Sequence, residues 1–223
     1  ARLISDYAGV MVMSILLVFL AVILSMKDRR AKMEALIYTK KTSAAKLTFI
    51  RYLALVIAAM VPAIILSYLS NMMVWSSYHG MQLDYLAPLK YDFGWLLPSV
   101  MISTAIGMFL TELTGTPIAV AVQGLWWMFD VNLGIKSVPS AYALFRLAPR
   151  HNAGAYSWFR TQDYLDHFGD LVQNRLLMAG IALALILLTI LIYEAKRKGK
   201  FGGNAFFKKA VSGIRNRKNQ SQA

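Results

Sequence analysis

From Leu176 to Tyr193 the chain runs without a single charged side chain. Wound as a helix at 1.5 Å per residue, such a run is about 27 Å long, close to the roughly 30 Å of hydrocarbon in a bilayer. In hydrocarbon every backbone N–H and C=O must find its partner inside the protein, and a helix achieves this within one segment. Four more apolar segments approach that length: Tyr7–Met26, Tyr52–Ser70, Phe93–Thr111 and Leu113–Phe129. The last two are parted only by Glu112, and Leu113–Phe129 is short and holds Gly115, Pro117, Gln123 and Gly124. The expected fold is all-α: a polytopic membrane helix bundle over residues 1–193 with five visible spans, followed by a basic tail over 194–223.

Charge gives this bundle a direction. The chain is 57% hydrophobic and 16% charged, where soluble domains carry about a quarter charged residues. Its net charge of +13 would suit a nucleic-acid partner if it were spread over a surface. Here it is confined to segments between charge-free runs, which is the pattern of membrane topology and excludes nucleic acid as the partner. Lys27–Arg51 carries eight basic and two acidic residues, and Glu194–Ala223 carries nine and one. With those segments and Glu112 on one side, the other side sums to zero. The positive-inside rule makes the basic side cytoplasmic, for a multi-pass protein of the cell membrane with its C-terminus inside. An odd span count then leaves Ala1 outside. The first run ends in a basic cluster and not in a small-residue cleavage site, so it does not read as a signal peptide. The expectation is a sixth, N-terminal helix that this chain lacks.

Bond chemistry finds no foothold. The chain has no cysteine, hence no disulfide, cysteine metal site or thiol nucleophile. It has neither an HExxH motif nor the GxxxxGK[ST] phosphate loop, and His79, His151 and His167 all lie outside the spans. No apolar run carries an ionisable residue at its middle, which argues against a secondary carrier coupled to protons. Asp163, Asp166, His167 and Asp170 fall at i, i+3, i+4 and i+7, a spacing that could hold a divalent ion but more often marks a solvated helix face. No metal site is assigned on that pattern alone. Small residues spaced for close helix packing occur at Gly115 and Ala119, Gly180 and Ala184, and Ala54 and Ala58.

Three segments outside the spans remain. Lys27–Arg51 contains no Gly or Pro, with a helix expected over 28–45, and Met33, Leu36, Ile37 and Leu47 can form an apolar stripe among basic residues. This reads as a short amphipathic helix, a break near Lys41–Ser43 with Thr42 or Ser43 as a cap, and then the next span. A basic loop resting on anionic headgroups has the same composition; a docking surface for a cytoplasmic protein is the other reading. Asp130–Arg175 holds two helix-like stretches, Val138–Leu147 and Ala155–Phe159, in either a surface loop or a pair of short interfacial or re-entrant helices. In the tail, Phe206, Phe207, Ala210, Val211 and Ile214 share one helical face, for an interfacial helix or a disordered basic tail.

The stretch from Arg29, Arg30 and Glu34 through "TKKTSAAKL" to "RYLAL" resembles the permease subunit of a type-2 ATP-binding-cassette exporter. The family's Gly-Thr pair has no counterpart here. The resemblance implies six spans with both termini inside and re-entrant helices before the last span. It also implies a coupling helix that docks a separate ATPase subunit, with Arg29, Arg30, Lys32, Met33, Glu34, Ile37 and Tyr38 as the docking residues. It further implies a dimer with a second permease copy or a paralogue, and a pathway or dimer interface at Gly115, Ala119, Gln123, Trp126 and Trp127. ATP and magnesium would sit on the partner ATPase, and no cofactor on this chain. An interfacial aromatic belt explains Trp126 and Trp127 equally well. A non-transporting membrane scaffold or sensor is the competing function.

Overall fold

The computed structural model describes residues 8–33, 37, 42–78, 80–133, 142–149 and 161–198. Among them every regular element is helical. A π-wound stretch, Ala8–Met13, leads into α1 (Ser14–Arg30). Then come α2 (Ala44–Ser77), α3 (Ala87–Thr114) and α4 (Ile118–Met128), which a π-wound turn extends over Phe129–Leu133. α5 (Thr161–Asp166) and α6 (Phe168–Arg197) close the set.

Three helices, α2, α3 and α6, are long and apolar enough to cross a membrane, with 34, 28 and 30 residues. They contain three of the expected spans and overrun each at both ends. The expectation of five spans is thus corrected to three among the described residues. α1 has 17 residues, about 26 Å of rise, and its last four, Lys27–Arg30, are all charged. α4 has 11 residues, about 16 Å of rise. Its start is delayed because Gly115, at a φ of 73°, ends α3 in a left-handed turn and Pro117 precedes the first helical residue.

Sequence chemistry accounts for the other boundaries. Ser43 is extended and its hydroxyl accepts the Lys46 N–H at 3.1 Å, which caps α2 as expected. Within α3, Pro98 has no N–H to offer the carbonyl four residues back. The preceding turn, Asp92–Leu96, is wound as a π-helix, with the Leu97 N–H bonded to the Asp92 carbonyl.

α3 is the hub. It packs on α6 and α1 most extensively, and also on α4 and α2. Of its apolar window 67% is buried, against 28% in α2 and in α6. The outer faces of those two present Leu66, Leu69, Met72, Leu187 and Leu191 outward, the exposure expected where lipid replaces water. Between helices in lipid the hydrophobic effect supplies no drive, so close packing and polar contacts must hold the bundle. α1 and α3 come close at Gly107, where a Cβ would lie 2.6 Å from the Ala21 Cβ. The pairs expected from spacing do not make it: Ala54, Ala58 and Gly180 are exposed, and Gly115 lies in a turn.

Candidate functional site

The charged ends of four helices meet at the basic end of the bundle. Glu112, in the last turn of α3, accepts from Lys196 of α6 at 2.9 Å and from Arg29 of α1 at 3.5 Å. Lys196 Nζ also bonds the Glu112 carbonyl oxygen. Beside them Arg51 of α2 pairs with Asp28 of α1 at 2.6 Å, and Arg197 donates to the Thr42 carbonyl at 2.7 Å. Glu112, which parts two apolar segments of the sequence, has a side chain only 12% exposed, and that of Lys196 is 7% exposed. A carboxylate so placed is retained because two cations neutralise it. The guanidinium of Arg29 lies over Gly115, where a Cβ would collide with it, so this glycine supplies space as well as its positive φ.

The expected docking residues divide around this node. Asp28–Arg30, assigned above to a connecting helix over 28–45, form the last turn of α1. Arg29 is engaged by Glu112, whereas Arg30, Lys32 and Met33 are exposed. Lys32 takes a φ of 54° where the chain leaves α1. Ile37 is half-buried, its N–H bonded to the Met33 carbonyl at 3.0 Å, and it lines a small cavity with Arg29, Arg51 and Glu112. Glu34 and Tyr38 lie outside the described residues.

The expected pathway residues face inward. Gln123 is fully buried, and its Nε2 donates to the Ser14 carbonyl at 2.6 Å and to Ser103 Oγ at 3.1 Å. Ser103 Oγ in turn donates to the same carbonyl at 3.0 Å. This triad joins α1, α3 and α4. Ala119 is buried with Val18 and Val22 of α1, and Trp126 and Trp127 pack half-buried against the main core.

The opposite end is tied by two adjacent residues of α6. The side-chain amide of Asn174 donates to the carbonyls of Ala143, Leu144 and Arg146 at 2.9, 2.7 and 2.9 Å. Arg175, 5% exposed, donates to the Trp95 carbonyl, to Ser99 Oγ and to the Leu147 carbonyl at 3.1, 2.8 and 3.2 Å. These bonds explain a correction. The described part of the expected helix-like stretch Val138–Leu147 is irregular, because its carbonyls serve side chains of α6 and α3 and not a helical ladder. Nearby Arg146 pairs with Asp130 at 3.1 Å. Burial holds the Asp130 carboxyl above its usual range, against the opposing pull of Arg146. Residues 155–159 and the tail beyond 198 lie outside the described residues.

Sequence reasoning counted Arg175 and Asp92 as connection charges. Arg175 lies within α6, and Asp92 is fully buried in α3, where Ser67 of α2 donates to it at 3.0 Å. The available signal was their position directly against apolar runs. The set Asp163, Asp166, His167 and Asp170 does not share one helix, because α5 ends at Asp166 and α6 starts at Phe168. His167 stacks on Tyr142 at 5.4 Å, and Asp166 accepts from Gln162 at 2.8 Å. Among the described residues no cluster of three metal-ligating side chains occurs.

No family model, curated protein or solved structure matches the chain.

Proposed function

We propose that this chain is the membrane-spanning permease subunit of an ATP-driven exporter of the type-2 ATP-binding-cassette kind, docking a separate ATPase on the segment between α1 and α2. Three apolar helices of spanning length supply a membrane location by composition. The observation that carries the reading is the charged node. The Glu112 ion pairs, the Arg51–Asp28 pair and the Arg197–Thr42 bond tie the two ends of the 31–43 connection to α1, α2, α3 and α6 together. A load applied to that connection is therefore shared by the three long helices.

ATP hydrolysis on the partner supplies the work, and this chain supplies the lever. Exposed Arg30, Lys32 and Met33 form the contact, and the node transmits displacement to the far ends of the helices. The test is co-purification: the tagged chain, extracted gently, brings down a subunit that hydrolyses ATP. Arg30→Glu then abolishes substrate stimulation of that ATPase while the chain stays in the membrane. Isolation without any ATPase, or unchanged stimulation in Arg30→Glu, would refute the docking role.

A further inference from the structure

At the end of the bundle away from the charged node, a lateral groove of about 780 Å³ runs between α3 and α6, within the roughly 300–1,000 Å³ range of small-molecule sites. Its wall is graded. Pro98, Met101, Leu171 and Ala179 line an apolar depth with Leu176 at its open side, and the buried guanidinium of Arg175 lies among them, bonded to the Trp95 and Leu147 carbonyls and to Ser99. Above them lies a cluster of four rings, in which Tyr164 sits 6.5, 6.1 and 5.6 Å from Tyr91, Trp95 and Phe168. At the rim, exposed Asp84 and Lys90 pair at 2.6 Å.

We propose that this groove binds a zwitterionic phospholipid whose headgroup joins a phosphate to a quaternary ammonium. Each level of the groove matches one part of that molecule. The apolar depth takes the upper part of an acyl chain, and the side open to the bilayer lets the remainder stay among other lipids. The ring faces carry the negative quadrupole that attracts a quaternary ammonium, and Asp84 adds a carboxylate beside them. Lys90 takes the phosphate. The exposed Asp84–Lys90 pair is weak enough to open and re-pair with a headgroup of both signs. An anionic headgroup would bring no cation to the rings and would meet Asp84 with like charge, while the groove's second cation, Arg175, is buried and already bonded to the Trp95 and Leu147 carbonyls, Ser99 and Asn174. In the exporter proposed above this lipid is the cargo, and the binding itself needs no ATPase.

The test is native mass spectrometry of the full chain in nonionic micelles holding equal palmitoyl-oleoyl phosphatidylcholine and phosphatidylglycerol. One phosphatidylcholine is retained with a preference of roughly three- to tenfold. Tyr164→Ala removes most of that preference, and Leu176→Trp, which fills the depth from an exposed position, removes retention of both lipids at an unchanged melting temperature. Equal retention of the two lipids, or either variant behaving as the parent, overturns the proposal. Because the chain has no cysteine, Leu176→Cys supplies a single thiol. Efficient disulfide cross-linking between copies in native membranes would place a second copy in the groove and also overturn it. None of these readouts depends on an ATPase, so the lipid site and the exporter function can fail independently.

Discussion

Asn174 gives its single amide to three carbonyls of the 142–149 segment, a concentration of bonds that no spacing rule announces. Replacing it with Leu removes the donor from those carbonyls, of which that of Arg146 keeps Arg175, and takes the Oδ1 acceptor from buried Arg175, at about 1–3 kcal/mol for each buried group left unsatisfied. Asn174→Leu is expected to lower the melting temperature in detergent clearly, and to expose the 142–149 segment to protease. Unchanged melting and cleavage would show that the segment is held by other contacts. Gly107 is the opposite kind of residue, useful for what it omits. A side chain there meets Ala21 and, at 3.2 Å, the Val18 carbonyl, so Gly107→Ala is expected to destabilise by about 1–3 kcal/mol, and the double variant with Ala21→Gly to recover part of the loss. A thermal shift series on the four proteins of that cycle decides it. Neither residue stood out in the sequence: Asn174 borders an apolar run as any flank does, and the glycines flagged by spacing were others.

Helices were the most legible level. Charge-free length located α2, α3 and α6, and the change from Lys41 to Ser43 marked where α2 begins. Ser43→Ala removes the cap and is expected to cost about 1 kcal/mol, whereas Ser43→Asp keeps it; equal stability of both variants would mean the hydroxyl bond adds nothing. What length alone missed is that helix ends trade charges across long sequence gaps. Arg29 and Lys196 reach Glu112 from 83 and 84 residues away, and no local pattern pairs them. Glu112→Gln leaves the buried Lys196 without its counter-charge and is expected to cost about 3 kcal/mol. The loss should exceed that from Asp84→Asn, whose pair is exposed. Denaturant titration of the two variants in micelles would reverse the ranking if the node were merely superficial.

Over the whole molecule, composition and run length gave the all-α class and suggest a membrane location, while the span count was overestimated because apolar residues were counted without their winding. The chain is expected to stay with the membrane pellet through alkaline carbonate washing and to leave it only with detergent; release by carbonate would contradict three spanning helices. The node was partly legible, since its basic residues stood in the right segments, but the partner of each had to come from the fold. The groove was not legible at all, because its depth, rings and rim come from separated stretches that only the crossing of α3 and α6 unites. That union depends on the π-wound turn over Asp92–Leu96. Such a turn amounts to one inserted residue, and a single residue rotates everything before it by about 100°. It acts as a phase shifter in α3. Deleting Gly94 along with the wide turn would leave a straight apolar helix with Lys90 and Tyr91 still over the groove they line with Met101, whereas winding the intact Asp92–Leu96 as α would swing them away from it. The same residues would then surround a different surface.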